Sequence, residues 1–282
     1  MELAWHGGAS VSLRLADRVL VIDPAFSRSD DYGPWFQASP NAPAFDAYLE
    51  EFRPDVVLIT HGHFDHFDLE TVRKLADGPA PRFIGSPEVI ATIRRHFPAA
   101  GPSATAILPG EWMQVYPGLS IEAHEGVHWL TGEAGRQAAA RFEGRPDRWG
   151  VMPCGGPMLS FVVRGDGRDV YFSGDTEFAG VPELTVAAAV VNVGGPVLDP
   201  VGKQPVSCIL DEHDLIRAVR ERLGTRLLIP VHHDHPVFLE PVDLTAVERG
   251  LSDRCRLVKL PFNRWVRLDD MLEDGDPCAR CC

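Results

Sequence analysis

The segment from Leu58 to Asp68 holds the densest set of chemically capable side chains in this sequence. It places His61, His63, Asp65 and His66 directly after an apolar run. Imidazole and carboxylate groups are the ligands that zinc, manganese and iron accept in proteins. Clustered histidines can also form a solvated polar turn, but the ends of strands in layered α/β proteins are where sites are assembled. The segment therefore predicts a metal site.

Five stretches, taken in order along the chain, resemble one family. They are Trp5-His6-Gly7-Gly8-Ala9-Ser10 through Val21-Ile22-Asp23-Pro24, the His-x-His-x-Asp-His signature from His61 to His66, Val127-His128-Trp129, Phe172-Ser173-Gly174-Asp175-Thr176 and Ile229-Pro230-Val231-His232. Together they resemble the metallo-β-lactamase superfamily of metal-dependent hydrolases. The opening resembles the branch of L-ascorbate-6-phosphate lactonases and N-acylphosphatidylethanolamine phospholipases D, although Gly7 and Gly8 stand where many members carry histidine. The resemblance implies an α/β fold, a four-layer αββα sandwich of two mixed β-sheets flanked by helices.

The resemblance also implies a ligand set and a reaction. One divalent ion is expected on His61, His63 and His128, a second on Asp65, His66 and His232, with Asp175 between them. Zinc is the first choice, and manganese and iron are alternatives. A hydroxide bridging the two ions would be the nucleophile, because bound metal lowers the pKa of water toward ~7. Asp65 and Asp175 are accordingly the expected catalytic carboxylates.

Three of these assignments have competitors nearby. His124 lies four residues before His128, but a residue inside a strand points to the core or to solvent, whereas a ligand usually sits on the turn that follows. His233 and His235 compete with His232, and otherwise are candidates for ligand support or substrate contact. Asp175 can also be an ordinary turn aspartate.

Other residues receive weaker interpretations. Asp23, before Pro24, is a candidate hydrogen-bond acceptor behind the metal-binding histidines, and His6 and His213 are expected to be structural or exposed. Loop residues are expected to wall the pocket or to meet an anionic substrate. They are Trp35, Phe36, Trp129, Trp149, Arg136, Arg141, Arg145 and Arg148.

Hydrophobic periodicity predicts the elements that position these side chains. Helices are expected over Phe45 to Phe52, Asp68 to Leu75, Ser86 to Phe97 and Glu212 to Leu223. Strands are expected over Ser10 to Leu15, Arg18 to Ile22, Asp55 to Thr60, Arg82 to Ile84, Ala106 to Leu108, Trp112 to Tyr116, Leu119 to His124, Leu159 to Val163, Asp169 to Phe172, Ala188 to Val193 and Leu227 to Val231. In both halves an apolar strand that follows a helix runs into histidine. We therefore expect a single domain of two similar halves over 1–270, followed by a cysteine-containing tail over 271–282.

Composition narrows the function. The 282 residues carry a formal net charge of −13 and are 45% hydrophobic, which is ordinary for a globular protein and unfavourable for binding a polyanion. No stretch reaches the ~20 apolar residues that a membrane helix needs, and no signal peptide is evident, so a cytoplasmic location is expected. Partners are expected to be a small-molecule substrate, possible copies of the same chain, no nucleic acid and no membrane.

The sequence predicts hydrolysis of a lactone, a carboxylic ester or amide, or a phosphodiester, without choosing among them. A nuclease of the same superfamily is one alternative, disfavoured by the net charge. A metal-binding or sensing protein without turnover is another, disfavoured by the complete ligand motifs. A di-iron redox protein is a third, but the chain leaves no room for an added flavin or iron-sulfur domain.

Overall fold

The computed structural model describes residues 1–28, 38–128, 156–198 and 204–273. The expected loop containing Trp35 and Phe36, the four arginines of the irregular stretch, Trp129, Trp149 and the cysteines of the tail lie outside these residues. None of the helices in the described ranges is long and apolar enough to cross a membrane.

The strands of the described residues form two large sheets and one small hairpin. In chain order they are β1 (Glu2–Trp5), β2 (Val11–Leu15), β3 (Arg18–Ile22), β4 (Val56–Leu58), β5 (Arg82–Gly85), β6 (Ala104–Ala106), β7 (Trp112–Tyr116), β8 (Leu119–Glu125), β9 (Leu159–Gly165), β10 (Arg168–Phe172), β11 (Leu184–Asn192), β12 (Val197–Leu198), β13 (Pro205–Val206), β14 (Leu223–Val231), β15 (Arg256–Leu257) and β16 (Val266–Arg267). The first sheet has the order β16-β1-β2-β3-β4-β5-β6 and the second β15-β14-β11-β10-β9-β8-β7, while β12 and β13 pair separately. Both large sheets are mixed.

Each large sheet is antiparallel on one side and parallel on the other. In the first sheet β1, β2 and β3 are antiparallel neighbours, whereas β3, β4 and β5 run parallel. In the second sheet β8, β9 and β10 are antiparallel neighbours, whereas β10, β11 and β14 run parallel. As a result β8, β10 and β14 all end at the same edge of the second sheet.

The helices of the described residues lie on the outer faces of the sheets, except the last one, which packs against the apolar residues between the sheets. They are α1 (Phe45–Phe52), α2 (Leu69–Ala76), α3 (Pro87–His96), α4 (Glu212–Glu221), α5 (Leu244–Leu251) and α6 (Leu268–Glu273). Side-chain caps begin several of them. Ser86 accepts from the amide of Val89 at α3, and Asp68, expected as the first residue of α2, instead caps it by accepting from the amides of Glu70 and Thr71.

Three apolar clusters define four layers. The largest lies between the sheets and joins Leu13 and Leu58 to Phe161 and Ile229. A second packs the outer face of the first sheet against α1, α2 and α3, and a third packs the outer face of the second sheet against α4 and α5. Successive side chains along a strand point to opposite faces of the sheet, so each large sheet presents apolar residues both to the other sheet and to the helices. This arrangement confirms the expected αββα sandwich.

The element order follows the expectation, with several corrections. β6 covers Ala104–Ala106 rather than Ala106 to Leu108, because its partner β5 pairs through Gly85 and Leu108 is exposed. β11 begins at Leu184, because β14 starts at Leu223 and pairs with it from that residue, which also ends α4 before Leu223. β1 and α5 are additional elements. α6 buries Met271 and Leu272, so the packed chain extends past the expected boundary at 270.

Candidate metal centre

The predicted site residues meet at one edge of the sandwich. His61 to His66 follow β4, His128 follows β8, Asp175 follows β10 and His232 follows β14. Parallel strands direct the residues after their carboxyl ends to the same edge of a sheet. The structure therefore brings all seven predicted ligands together from four separate strand ends.

Three imidazoles form the first group. The Nε2 atom of His61 lies 2.9 Å from Nδ1 of His63, and Nε2 of His128 lies 3.0 Å from the same Nδ1. The nearest nitrogens of all three rings lie within 4.8 Å of one another. Converging nitrogens of this kind suit a cation placed between them.

The second group combines Asp65, His66 and His232, whose ligand atoms also lie within 4.8 Å of one another. The Oδ2 atom of Asp65 is 3.9 Å from Nε2 of His66 and 3.5 Å from Nε2 of His232. Two imidazoles and a carboxylate are a usual ligand set for a divalent ion.

Asp175 lies between the two groups. Its Oδ2 is 3.1 Å from Nε2 of His66, and its Oδ1 is 3.9 Å from Nε2 of His232. His61, His66 and Asp175 form a further group with ligand atoms within 4.8 Å of one another. This third group shares one histidine with each of the others, which is the position that a bridging carboxylate requires.

Hydrogen bonds behind the cluster orient three of the histidines. Nδ1 of His61 donates to Oγ1 of Thr60 (3.0 Å), Nδ1 of His66 donates to Oδ2 of Asp23 (2.8 Å), and Nδ1 of His128 donates to the carbonyl of Cys208 (2.8 Å). A neutral imidazole that donates from Nδ1 keeps a lone pair on Nε2. The Nε2 lone pairs of these rings therefore face the cluster, and the contact expected of Asp23 is confirmed.

The cluster fits a metal by its unpaired atoms. Nε2 of His66 and Nε2 of His232 face the carboxylates of the cluster, and both are buried without a well-formed hydrogen bond among the described residues. Leaving such atoms unpaired costs roughly 1–3 kcal/mol each, and a divalent ion bound to the lone pairs at the cluster would offset that cost. The imidazole and carboxylate donors suit zinc, manganese or iron.

The electrostatics of the cluster differ between its two groups of histidines. Burial opposes protonation of His66 and His232, but the neighbouring carboxylates, Asp175 foremost, hold the pKa of His66 well above its usual range and raise the pKa of His232, so a metal ion would displace protons from these two rings. The other ligands favour their deprotonated forms. Burial lowers the pKa of His63 to about 3 and holds the pKa of His61 well below its usual range. Burial opposes ionisation of Asp65 and Asp175, but the neighbouring histidines, His66 foremost for Asp65 and His232 for Asp175, hold both pKa values well below the usual range. Deprotonated imidazole and carboxylate are the forms that bind metal.

The three histidines that compete with the assigned ligands lie outside the ligand groups. His124 is half-buried on β8, with its Nε2 3.4 Å from Oε1 of Glu122, and it belongs to no ligand group found among the described residues. His233 packs on Trp5 with ring centroids 5.0 Å apart. His235 is buried beside the cluster and outside the three groups. The geometry thus favours His128 and His232.

The two histidines expected to be structural or exposed behave accordingly. His6 is buried, and its ring nitrogens contact Ser12 (2.9 Å) and Asn263 (3.0 Å). His213 is exposed on α4.

Two residues that support the proposed ligands were not predicted from the sequence. Asn192 is buried at the end of β11, and its Nδ2 donates to Oδ1 of Asp175 at 2.8 Å. Asp234 accepts from the amide of Gly8 (2.8 Å), from Oγ of Ser39 (2.6 Å) and from Nδ2 of Asn41 (2.9 Å). A polar residue ending an apolar strand was the available signal for Asn192, whereas the partners of Asp234 lie about two hundred residues away in sequence.

The turn that carries His232 is held tightly. His232 has a left-handed backbone with φ of 71°, a conformation that costs a non-glycine residue free energy and persists only where its surroundings fix it. The amide of His232 donates to the carbonyl of Gly8 at 3.0 Å. Together with Asp234, this contact ties the turn to the loop after β1.

Comparisons with known proteins agree with this architecture. The model of the family described as "Beta-lactamase superfamily domain" matches residues 18–233. A UPF0173 metal-dependent hydrolase of Staphylococcus aureus is 23% identical over 243 residues, covering 83% of this chain and 86% of the relative. A metallo hydrolase from the archaeon Ignicoccus hospitalis superposes with a TM-score of 0.63 at 18% identity, covering 94% of this chain and 97% of the other. An isothiocyanate hydrolase from gut bacteria of Delia radicum superposes with a TM-score of 0.61 at 19% identity, covering 95% and 99%. The chain therefore belongs to the beta-lactamase superfamily, and its two mixed sheets flanked by helices are the metallo-β-lactamase fold.

Proposed function

We propose that this chain is a metal-dependent hydrolase that holds two divalent ions. The first ion would bind to His61, His63 and His128, and the second to Asp65, His66 and His232. The observation that carries the proposal is the overlap of the three ligand groups, in which Asp175 is grouped with one histidine from each side. A carboxylate in that position reduces the repulsion between two neighbouring cations. Zinc is the metal that we propose first.

Each part of the cluster has a role in this proposal. Two divalent ions held by these histidines and carboxylates would supply a hydroxide nucleophile at neutral pH and would polarise the oxygen of the scissile group. Asp175 keeps the two halves of the site aligned, and Asn192 holds the carboxylate of Asp175 through its amide. Asp23 fixes the ring of His66 while also accepting from the backbone amide and the hydroxyl of Thr60.

The substrate that we propose is a small molecule with a lactone, a carboxylic ester or amide, or a phosphodiester. Lactones come first, because the opening motif from Trp5 to Ser10 resembles the branch that contains lactonases. A formal net charge of −13 weighs against nucleic acid.

The experiment is a metal and activity analysis of the purified protein. Metal content is measured by elemental analysis, and hydrolysis of a γ-lactone, an aryl ester and a bis-aryl phosphodiester is followed with and without a chelator. We expect close to two ions per chain and one activity that the chelator removes and added zinc restores.

The outcomes separate the alternatives. Two bound ions with no hydrolysis in a broad screen of these bond types would favour a binding or sensing protein. A protein that stays free of metal when zinc is supplied in excess would overturn the proposal.

A further inference from the structure

His235 is a buried histidine beside the cluster that the proposed ligand set does not use. Its side chain is 3% exposed, and its Nε2 lies 3.8 Å from Oδ2 of Asp65. Its ring is stacked on that of His232, with centroids 5.3 Å apart and planes 11° apart. Nε2 of His235 has no hydrogen-bond partner among the described residues. A buried polar atom therefore faces the site without a partner.

The protonation of this ring follows from its other nitrogen. The backbone amide of Val237 donates to Nδ1 of His235 at 3.3 Å. A nitrogen that accepts a hydrogen bond carries no proton, so the proton of the ring lies on Nε2. His235 therefore directs an N–H group toward the space beside Asp65.

This arrangement is the reverse of that found in His61, His66 and His128. Those rings donate from Nδ1 to an oxygen and keep a lone pair on Nε2. A metal ion needs a lone pair, whereas an N–H group serves an oxygen acceptor. His235 is thus built to meet an acceptor at the cluster.

The position of His235 is fixed before any substrate binds. The amide of His235 donates to the carbonyl of His232 at 3.0 Å, and Asp234 ties the same turn to Gly8, Ser39 and Asn41. A Cβ atom on Gly8 would lie 3.9 Å from Cδ2 of His235, so the ring packs against the face of Gly8. A donor held in place before the substrate arrives is worth more than one that must be ordered.

We propose that His235 is not a metal ligand and that its Nε2–H donates a hydrogen bond to a substrate oxygen at the cluster. The inference rests on the proposed function, and it restricts the substrate to one with an oxygen acceptor on or next to the scissile group, such as a carbonyl or phosphoryl oxygen. His235 would stabilise the negative charge that develops on that oxygen.

The first test reads the ligands directly, without turnover. Protein labelled with 15N in histidine is loaded with cadmium-113, and scalar couplings between cadmium and ring nitrogens are recorded. We expect coupling for His232 and none for His235, which keeps its proton on Nε2. Coupling of cadmium to His235 would overturn this inference alone, whereas the absence of coupling to all five proposed histidine ligands would overturn the proposed function as well.

The second test uses inorganic phosphate as a probe of the acceptor position. His235→Phe is expected to keep the zinc content of the wild type and to bind phosphate about tenfold more weakly, as expected for one hydrogen bond to a charged group. His235→Gln keeps an N–H donor and is expected to recover part of the affinity. His233→Phe, in the same turn but packed on Trp5, is the matched control and should match the wild type. Loss of one zinc in His235→Phe, or equal phosphate affinity in the wild type and this variant, would overturn the inference.

Discussion

The two sheets supply the site in different ways. The first sheet delivers His61, His63, Asp65 and His66 on one turn after β4, whereas the second sheet delivers His128, Asp175 and His232 from the ends of three strands. Residues on one turn are positioned largely by local backbone. Residues on separate strands depend on the register of the sheet and on hydrogen bonds from distant segments, namely from the Cys208 carbonyl, Asn192 and the loop containing Gly8. The second half of the site should therefore be the more sensitive to changes outside the ligands.

The largest effect is expected from His63→Ala, which removes a ligand from the contiguous turn. Metal affinity should fall by more than the roughly 10–100-fold that loss of a supporting residue produces, with loss of hydrolysis. Zinc titration by calorimetry and initial rates measure both effects. His124→Ala, a histidine outside the cluster, is the matched control and should bind metal like the wild type. A fully metallated and active His63→Ala protein would show that the first group is wrongly assigned.

The next largest loss of metal affinity is expected from two residues that support ligands, one in each half of the site. Asn192→Ala and Asp23→Ala should weaken metal binding within a range of about 10–100-fold, through Asp175 and His66 respectively. Asn192→Ala should have the larger effect, because it acts on the half of the site that the second sheet supplies. Asn192→Asp should be worse than Asn192→Ala, because it replaces the donor to Asp175 with a like charge. Competition with a chromophoric chelator gives the affinities. Equal affinities for the two Asn192 variants would mean that the residue acts by packing instead.

A smaller effect is expected at Asp234, which touches no proposed ligand side chain. Asp234→Ala leaves the donors of Gly8, Ser39 and Asn41 without their acceptor, which should cost about 1–3 kcal/mol of unfolding free energy and weaken the binding of the ion at His232. Asp243→Ala removes the N-terminal cap of α5 and serves as the control, with a stability loss of ~1 kcal/mol and unchanged metal binding. The urea denaturation midpoint measures the loss of stability, and zinc titration measures the loss of metal binding. Weaker zinc binding in Asp234→Ala but not in Asp243→Ala would show that the effect is local to the site.

The smallest effect lies outside the site, at His6. Burial lowers the pKa of His6 to about 4 from an ordinary value of 6.5, so the unfolded chain binds the proton more readily than the folded one. Stability from this group is present above about pH 6.5 and is lost as the pH falls from 6.5 toward 4, by about 1 kcal/mol at pH 5.5. His6→Gln should show a flatter dependence of unfolding free energy on pH over this window. Identical slopes in the two proteins would remove His6 as the cause.

Much of this fold follows from the sequence, because the signals are local. Alternating polar and apolar residues marked β2, a short apolar run marked β3, and Ser86 marked the start of α3 as its cap. The start of β6 could not be read in the same way, because it is set by the pairing of Ala104 with Phe83 of β5. α5 was missed, although Leu244, Val247 and Leu251 recur at helical spacing on its buried face and Asp243 caps its first turn.

The same difference between local signals and long-range contacts decides which site residues could be predicted. His61, His63, Asp65 and His66 were predictable as a group because four side chains of ligand type crowd one short segment. Asp175 stood out because it ends an apolar strand, and His232 because Pro230-Val231-His232 resembles the family's ligand motif. The roles of Asn192 and Asp234 were not, because their partners are distant in sequence and become neighbours only when the sheets pair. Whether His235 binds metal likewise depends on a proton position that only the contact with the amide of Val237 reveals.

The most direct test of the proposed two-metal site is an anomalous diffraction measurement on crystals of the zinc-loaded protein. We expect two zinc peaks, one among His61, His63 and His128 and the other among Asp65, His66 and His232, with the carboxylate of Asp175 between them. A single peak, or a peak coordinated by His124 or His235, would contradict it.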